Sequence, residues 1–172
     1  MVNKNQYNWF LLTSKSREEQ RAFDNLSAQG LEVFLPKVAS IKKRKGVKLV
    51  SLQPLFPGYL FINLDQTEAN FNAIRSTRGV GSFVRFGLNL ARLNDSLIQQ
   101  IKQNIEGNDN KSLDDLLIYQ QGEKVQVTQG PFTGLEAIYK TKDGLERCVI
   151  LINMLGQENE VAVDNQAIEK VA

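Results

Sequence analysis

The segment Pro54-Leu55-Phe56-Pro57-Gly58-Tyr59-Leu60-Phe61 carries two prolines and three aromatic residues at the start of an apolar run. This run, Tyr59 to Leu64, is rich in aromatic and aliphatic residues, which is typical of a β-strand. Because side chains alternate across a strand, Tyr59 and Phe61 lie on one face of it. That face belongs either to the core or to a surface that binds a partner, and the alternation leaves both open.

The residues around this segment predict a mixed domain of strands and helices. Strands are predicted at Tyr7–Leu12, Leu31–Val38, Tyr59–Leu64 and Gly81–Phe86. Helices are predicted at Arg17–Gln29, Thr67–Arg75 and Asp95–Ile105. The second strand is expected to end near Pro36.

The first helix has recognisable signals at both ends. Ser16 and Glu19 form a Ser-x-x-Glu capping box, and Gly30 is a stop signal. Ala22, Phe23 and Leu26 recur at helical spacing and predict a buried face.

Positive charge is concentrated in the first part of the chain. Residues 1–104 contain 15 Lys and Arg against 7 Asp and Glu, a net charge of +8. Residues 105–172 contain 6 against 12, a net charge of −6. This asymmetry is typical of two domains of which the first meets a polyanion, although two mutually attracting surfaces would produce it too.

The densest positive run, within residues 42–48, lies in the stretch Ile41–Val50 around Gly46 and favours an exposed hairpin. Such a hairpin is either a source of salt-sensitive affinity for nucleic acid or a solvated loop without a partner.

A polar stretch that begins at Asn104 and contains Gly107 predicts a linker. The predicted division is a first domain at 1–104, a linker at 105–120 and a second domain at 121–172. The pattern after the linker is one of short strands separated by turns, about five in all, which is the size of a small β-barrel. Predicted strands include Leu135–Lys140 and Cys148–Met154, with a tight turn at Asp143-Gly144.

Residues 148–155 are almost continuously apolar, so periodicity does not decide between a strand and a buried helix. Val149, Ile150 and Ile152 favour a strand, whereas Leu151 and Leu155 favour a helix equally well. We treat this run as a candidate for an element with two structures. Cys148, within it, is expected to be a buried small hydrophobic residue.

The composition argues against several functions. The chain lacks histidine, the commonest general base and metal ligand, and it shows no glycine-rich phosphate loop, so we expect neither an enzyme, a metal site nor a cofactor. Cys148 is the only cysteine, and the first residues carry no apolar signal region. We therefore expect a cytoplasmic, monomeric protein.

Three segments, taken together, resemble the NusG family of transcription elongation factors. They are Pro54–Phe61, the segment Arg75–Val84 and the KOW-like segment Gly122–Gly134. The resemblance implies an α+β fold, in which an N-terminal domain with a mostly antiparallel sheet flanked by helices precedes a five-stranded KOW barrel. Arg78 and the segments Trp9–Leu12 and Val84–Gly87 look like the RfaH subfamily of specialised antiterminators.

The resemblance also implies partners: RNA polymerase, through its β′ clamp helices and its β subunit, the nontemplate DNA strand, and a small-subunit ribosomal protein for the C-terminal domain. The implied polymerase-binding residues are aromatic: Tyr59, Phe61, Phe86 and, ranked lower, Phe56. The implied DNA-binding residues can neutralise phosphate or stack on a base: Trp9, Lys15, Arg21, Thr77 and Arg78.

In the RfaH subfamily the C-terminal domain also packs as a helical hairpin on the polymerase-binding face and later refolds into the barrel. A glutamate–arginine pair at that interface corresponds to Gln53 and Arg147 here, so the charge of the first partner is absent. Asn70-Phe71-Asn72 stands where the subfamily's contact with the β subunit has His-Thr-Thr. The alternatives are a general NusG-like factor without autoinhibition and a KOW-based adaptor for the ribosome or RNA.

Overall fold

The computed structural model describes residues 6–106, 137–139 and 141–156. These residues form two compact units. The first contains residues 6–35, 58–98 and 152–156, and the second contains residues 36–57, 99–106, 137–139 and 141–151.

In chain order the strands are β1 (Tyr7–Ser14), β2 (Glu32–Phe34), β3 (Lys37–Arg44), β4 (Val47–Pro54), β5 (Tyr59–Asp65), β6 (Val80–Phe83), β7 (Arg85–Phe86), β8 (Asn89–Leu90) and β9 (Arg92–Leu93). The helices are α1 (Glu19–Ala28), α2 (Phe71–Arg75), α3 (Asp95–Glu106) and α4 (residues 144–156).

The first unit is built on an antiparallel sheet in the order β2-β5-β1-β6, with β9 also paired to β1. Its central strands, β1 and β5, confirm the predicted strands at Tyr7–Leu12 and Tyr59–Leu64. The predicted strand Leu31–Val38 is divided into β2 and β3 at Pro36, which has no N–H group for a ladder hydrogen bond. The predicted strand Gly81–Phe86 is likewise divided, into β6 and β7.

One face of this sheet carries the hydrophobic core of the first unit. The core combines alternate residues of β1 and β5 with apolar residues of α1, α2 and β6: Phe10, Leu12, Ala22, Leu26, Leu60, Ile62, Leu64, Ile74, Val80 and Phe83. Burying a large apolar side chain of this kind contributes about 1.5–3 kcal/mol. The packed face fixes the register, because a slip by one residue would turn every core side chain of β5 outward.

Helix α1 begins later than the capping box predicted. Its N-cap residue is Glu18, without a side-chain capping hydrogen bond, and Arg17 has a positive φ of 60°. Glu19 instead accepts a hydrogen bond from the Gly58 N–H at 2.9 Å, so its carboxylate fixes the turn before β5. The predicted stop is confirmed: Gly30 has a φ of +81°, and the Leu31 N–H donates back to Leu26.

Strands β3 and β4 form the exposed hairpin predicted for residues 41–50. They form eight residue pairs, from Lys37–Pro54 to Arg44–Val47. Lys45 and Gly46 both have positive φ, the conformation of the two-residue turns that match the twist of a hairpin.

Helix α4 contradicts the strand predicted at Cys148–Met154. Asp143 also does not form the predicted hairpin turn with Gly144. Its carboxylate instead accepts the Leu145 N–H at 2.9 Å and so caps the start of α4. Residues 137–139 are helical as well, in place of part of the strand predicted at Leu135–Lys140. The remaining predicted barrel strands and the linker beyond Glu106 lie outside the described residues.

Helix α3 confirms the prediction at Asp95–Ile105, with Ile98 and Ile101 fully buried. In the part of the chain that the structure describes, no helix is long and apolar enough to cross a membrane.

Candidate functional site

The candidate site begins with the second face of the main sheet. Residues Tyr59 and Phe61 point to this face, opposite the core, and the register places Leu11 beside Phe61. Phe34 of β2 is also paired with Phe61, and the two ring centroids are 5.9 Å apart. Phe61 and Leu11 are fully buried, whereas Tyr59 is half-buried.

Phe86, on the small β7–β8 ribbon, is also half-buried. A Cβ atom built on Gly156 would be 3.4 Å from Cε1 of the Phe86 ring, so the end of α4 lies beside that ring. The C-terminal helix therefore contacts one of the four residues predicted to bind polymerase.

Phe56 is fully buried within the second unit. The neighbouring Leu55 N–H donates to the carbonyl of Pro36 at 2.8 Å, which closes the base of the β3–β4 hairpin. Of the four predicted polymerase-binding residues, Phe56 and Phe61 are thus inaccessible in this structure.

Arg147 of α4 is the most unusual buried residue of the second unit, because its side chain is charged and only 3% exposed. Its Nε–H donates to the Leu55 carbonyl at 2.7 Å. Its Nη1 donates to the carbonyls of Thr141 and Lys142 at 3.1 and 2.8 Å. Burial lowers the pKa of Arg147, and the nearby Cys148 and Asp143 partly oppose this shift.

Gln53 is not among the partners of Arg147, although the sequence suggested an interaction between them. Gln53 pairs with Val38 within the hairpin. The guanidinium instead binds the Leu55 carbonyl, two residues further along. A backbone carbonyl is present whatever side chain occupies position 53, so this contact does not require a carboxylate there.

The start of α4 packs tightly on Pro57 and its carbonyl group. The Cys148 thiol lies 3.3 Å from the Pro57 oxygen, and Cys148 is buried as predicted. A Cβ atom on Gly144 would be 2.6 Å from Cγ of Pro57, so only glycine fits here without a shift. The segment Leu55–Pro57 is therefore in direct contact with three residues of α4.

Exposed cations gather at a second location, around the start of α1. The Lys15 N–H donates to the Gly79 carbonyl at 2.8 Å, which brings Lys15 beside the loop that carries Arg78. The Asn25 amide donates to the Arg78 carbonyl at 3.1 Å. Gly79 lies so close to α1 that a Cβ atom would be 2.7 Å from the Ala22 nitrogen. This close approach anchors the loop on the helix and holds its exposed arginine near Lys15.

Arg21, also predicted to bind DNA, is exposed on α1 and forms an ion pair with Glu18 at 2.9 Å. Such a surface pair contributes little, so Arg21 can exchange Glu18 for a phosphate at small cost. Arg17, which is not among the predicted DNA-binding residues, is exposed in the same β1–α1 loop. Its only signal in the sequence is its position between Lys15 and Arg21.

Two predicted DNA-binding residues are not exposed with these cations. Thr77 is buried, and its hydroxyl donates to the Ala73 carbonyl and accepts from the Gln29 amide, both at 2.8 Å. Trp9 is 3% exposed, and its Nε1–H donates to Asp95 at 3.2 Å. It lies at the opposite end of β1 from Lys15, about 20 Å along the strand.

Comparison with known proteins identifies the family to which the chain belongs. The family profile described as "Transcription termination factor nusG" matches residues 7–102, more than half of the chain. The chain belongs to the NusG family.

NusG relatives also match outside the profile. The "Transcription termination/antitermination protein NusG" of Staphylococcus aureus, in strains such as Mu50 and N315, is 25% identical over 160 residues. This alignment covers 91% of the present chain and 87% of the relative. A solved structure titled "Domain interaction in Thermotoga maritima NusG" is 22% identical, with a TM-score of 0.40. That match covers 64% of this chain and 63% of the solved chain, so this chain spans less than two thirds of it.

Family membership establishes the general function. The protein is a NusG-like transcription termination and antitermination factor, a binding protein without enzymatic activity, and it binds RNA polymerase. Among the described residues, no group of His, Cys, Asp and Glu side chains could hold a metal ion.

The segment Asn70-Phe71-Asn72, which departs from the His-Thr-Thr of the RfaH subfamily, has local structural roles. Asn70 caps α2 by accepting the Ala73 N–H at 3.1 Å. Phe71 packs edge-on against Phe83, with centroids 5.3 Å apart. Asn72 accepts a hydrogen bond from Arg75. These contacts explain the residue types without reference to a partner.

Proposed function

We propose that this NusG-family protein is an RfaH-type antiterminator whose C-terminal segment covers part of its own polymerase-binding surface until it is recruited by DNA. Once released, it would bind the β′ clamp helices of RNA polymerase and the nontemplate strand, and suppress pausing and termination. The freed C-terminal domain would adopt the KOW barrel and contact a small-subunit ribosomal protein.

The helical state of residues 144–156 is the observation that carries this proposal. The KOW resemblance begins at Gly122, so the same residues would supply a strand to a barrel. As a helix they contact Leu55, Pro57 and Phe86, which belong to or follow the motifs that resemble polymerase-binding segments.

Burial of the aromatic residues gives independent support. A surface that grips a helix needs large apolar anchors that become buried on binding. Phe61 is already fully buried in this structure, and Phe86 is half-buried beside Gly156. A partner that packs on Phe86 would have to displace Gly156 of α4, so α4 and the partner would compete for this ring.

The exposed cations support DNA binding next to this surface. Lys15, Arg21 and Arg78 lie around the start of α1, and their side chains are exposed. Each can neutralise a phosphate, and a guanidinium can also stack on an unpaired base. We therefore assign DNA contact to these three residues and to Arg17. We assign to Thr77 the positioning of Arg78 through its buried hydrogen bonds. Trp9 is not included among the residues that contact DNA.

The experiment measures the affinity of the intact protein for RNA polymerase in the wild type and in Leu151→Ala, which removes a buried side chain of α4. If α4 competes with polymerase, weakening its docking raises the apparent affinity, because a larger fraction of the protein is binding-competent. We expect at least a tenfold increase. Val149→Ala, on the exposed face of the same helix, should leave the affinity unchanged.

Equal affinities of wild type and Leu151→Ala would contradict autoinhibition. They would favour the second candidate, a general NusG factor with a permanently free C-terminal domain. The similarity to the Staphylococcus aureus NusG is the observation in favour of that candidate.

The DNA assignment is tested separately with single-stranded DNA at several salt concentrations. Each lost phosphate contact reduces the slope of log affinity against log salt by about 0.7. Arg78→Ala should reduce the slope by this amount. Arg44→Ala changes an exposed cation of the β3–β4 hairpin, so its slope decides whether the basic hairpin also contacts DNA.

A further inference from the structure

An open cleft of about 730 Å³ lies at the N-terminal end of β1, within the first unit. It combines two aromatic side chains with polar and charged groups: Tyr7, Trp9, Glu32, Asn63, Arg92 and Asp95. The cations assigned to DNA follow the other end of β1, so the cleft is a separate site.

A row of paired residues across three strands builds the floor of this cleft. Trp9 of β1 is paired with Asn63 of β5, and Asn63 is paired with Glu32 of β2. Because paired residues point to the same face, the indole, the amide and the carboxylate lie side by side. The Trp9 Nε1–H is bound by Asp95 at 3.2 Å, which places a second carboxylate at the indole end of the row.

Asn63 determines the polarity of the site. Its Nδ2 donates to Oε2 of Glu32 at 2.8 Å, and a carboxylate can only accept, so the orientation of the amide is fixed. Oδ1 of Asn63 is therefore the acceptor atom of the amide, and it is buried without a hydrogen-bond partner. A buried acceptor without a partner destabilises the structure unless a donor reaches it.

The atoms of the cleft floor that can still form hydrogen bonds are acceptors. Glu32 and Asp95 have no ion-pair partner in the part of the chain that the structure describes. Arg92 also lines the cleft, and its Nη2 donates to Gln66 at 3.3 Å. The two carboxylates outnumber this one cation, although residues 1–104 as a whole carry a net charge of +8.

We propose that this cleft binds an arginine side chain presented by a protein partner. A guanidinium offers five N–H donors in a planar fork, which suits an amide oxygen without a donor beside a carboxylate. The ring of Tyr7, 42% exposed at the mouth, offers a face on which a guanidinium can stack. A nucleic-acid ligand fits less well, because its phosphates would approach two carboxylates.

Trp9 makes the test simple, because it is the only tryptophan of the chain and lines the cleft. The intact protein is titrated with N-acetyl-arginine amide while Trp9 fluorescence is followed. N-acetyl-citrulline amide, the neutral analogue, serves as the ligand control. We expect a saturable change with the arginine probe in the millimolar range and none with the citrulline probe.

Glu32→Gln is the matched variant, because its amide oxygen can still accept from Asn63 while the charge is lost. It should weaken the arginine probe about tenfold, whereas Glu68→Gln, at an exposed position outside the cleft, should not. Equal responses to both probes, or an absence of saturation, would overturn the proposal. Saturable binding of a mononucleotide that depends on Glu32, without binding of the arginine probe, would also overturn it and indicate a nucleic-acid site.

Discussion

Strand β5 and helix α4 both contain a nearly continuous apolar run, yet they differ in how many of its side chains are buried. Strand β5 is paired on both edges, with β1 and β2, and five of its seven residues are buried. Helix α4 buries one face but exposes Leu145 and Val149 at 71% and 59%.

This difference indicates which element is committed to one structure. In β5, composition, alternation and pairing all agree, which is the consistency expected of a sequence with a single fold. In α4 the buried residues follow helical spacing. Its exposed face, however, carries apolar residues at positions that are polar in most surface helices. The surplus of apolar side chains is what a second packing with more burial, such as a strand in a barrel, would use.

Leu151→Ala should have the largest effect on this comparison. It removes a fully buried side chain from α4, which costs about 2–5 kcal/mol in packing. Amide hydrogen exchange in the intact protein should show a strong loss of protection in α4, with β5 unchanged as an internal reference. Val149→Ala is the control and should change protection by less than about 0.5 kcal/mol. An equal loss in β5 would mean that α4 does not open independently.

Arg147→Ala should have the next largest effect on α4. It leaves the buried carbonyl of Leu55 without its donor, which costs about 1–3 kcal/mol. The same exchange experiment measures it. Gln53→Ala is the matched control and should be nearly neutral, because Arg147 is bound by carbonyls. A larger effect at Gln53 than at Arg147 would contradict this account of the contact.

Substitution of two glycines of α4 by alanine should give opposite signs. Alanine favours a helix over glycine by up to about 1 kcal/mol. In Gly144→Ala the new Cβ would clash with Pro57 at 2.6 Å, and overpacking costs about 1–3 kcal/mol, so α4 should lose protection. In Gly156→Ala the contact with Phe86 is an ordinary 3.4 Å, so protection should rise. Equal signs would show that helix propensity, and not docking, controls α4.

The smallest predicted effect concerns pH. Burial raises the pKa of Tyr139, whose hydroxyl donates to the Ile101 carbonyl and also interacts with Asn104. An unfolded tyrosine titrates near pH 10, so the stability contributed by Tyr139 is complete below about pH 10 and is lost as the pH rises further. Denaturant unfolding at pH 9 and pH 11 should show a decrease that is smaller in Tyr139→Phe. An equal decrease in both proteins would assign the loss to other groups.

The sequence predicted elements that are governed by local patterns. Strands β1 and β5 and helix α3 were predicted nearly in full, because their apolar residues recur at one period and their ends carry turn or helix signals. The start of α1 was wrong by two residues. The Ser16 capping box competes with a long-range contact, the hydrogen bond from Gly58 to Glu19, which local sequence does not reveal.

The candidate site was harder to predict because its contacts join distant residues. The partner of the Trp9 indole is Asp95, 86 positions away, so an aromatic residue that could stack on a base could not be distinguished from one held in the sheet. The arginine at position 147 was expected near residue 53, and only the structure revealed a carbonyl as its partner. Helix α4 was undecided for the same reason, since tertiary contacts and not periodicity decide between a strand and a helix in so apolar a run.

The helical state of α4 is tested most directly by measuring the ¹³Cα chemical shifts of residues 144–156 in the intact protein in solution. We predict helical shifts across this segment, and a change towards extended shifts in Leu151→Ala. Extended shifts in the wild type would contradict this prediction, because the C-terminal segment would then be free of Leu55, Pro57 and Phe86 before any partner binds.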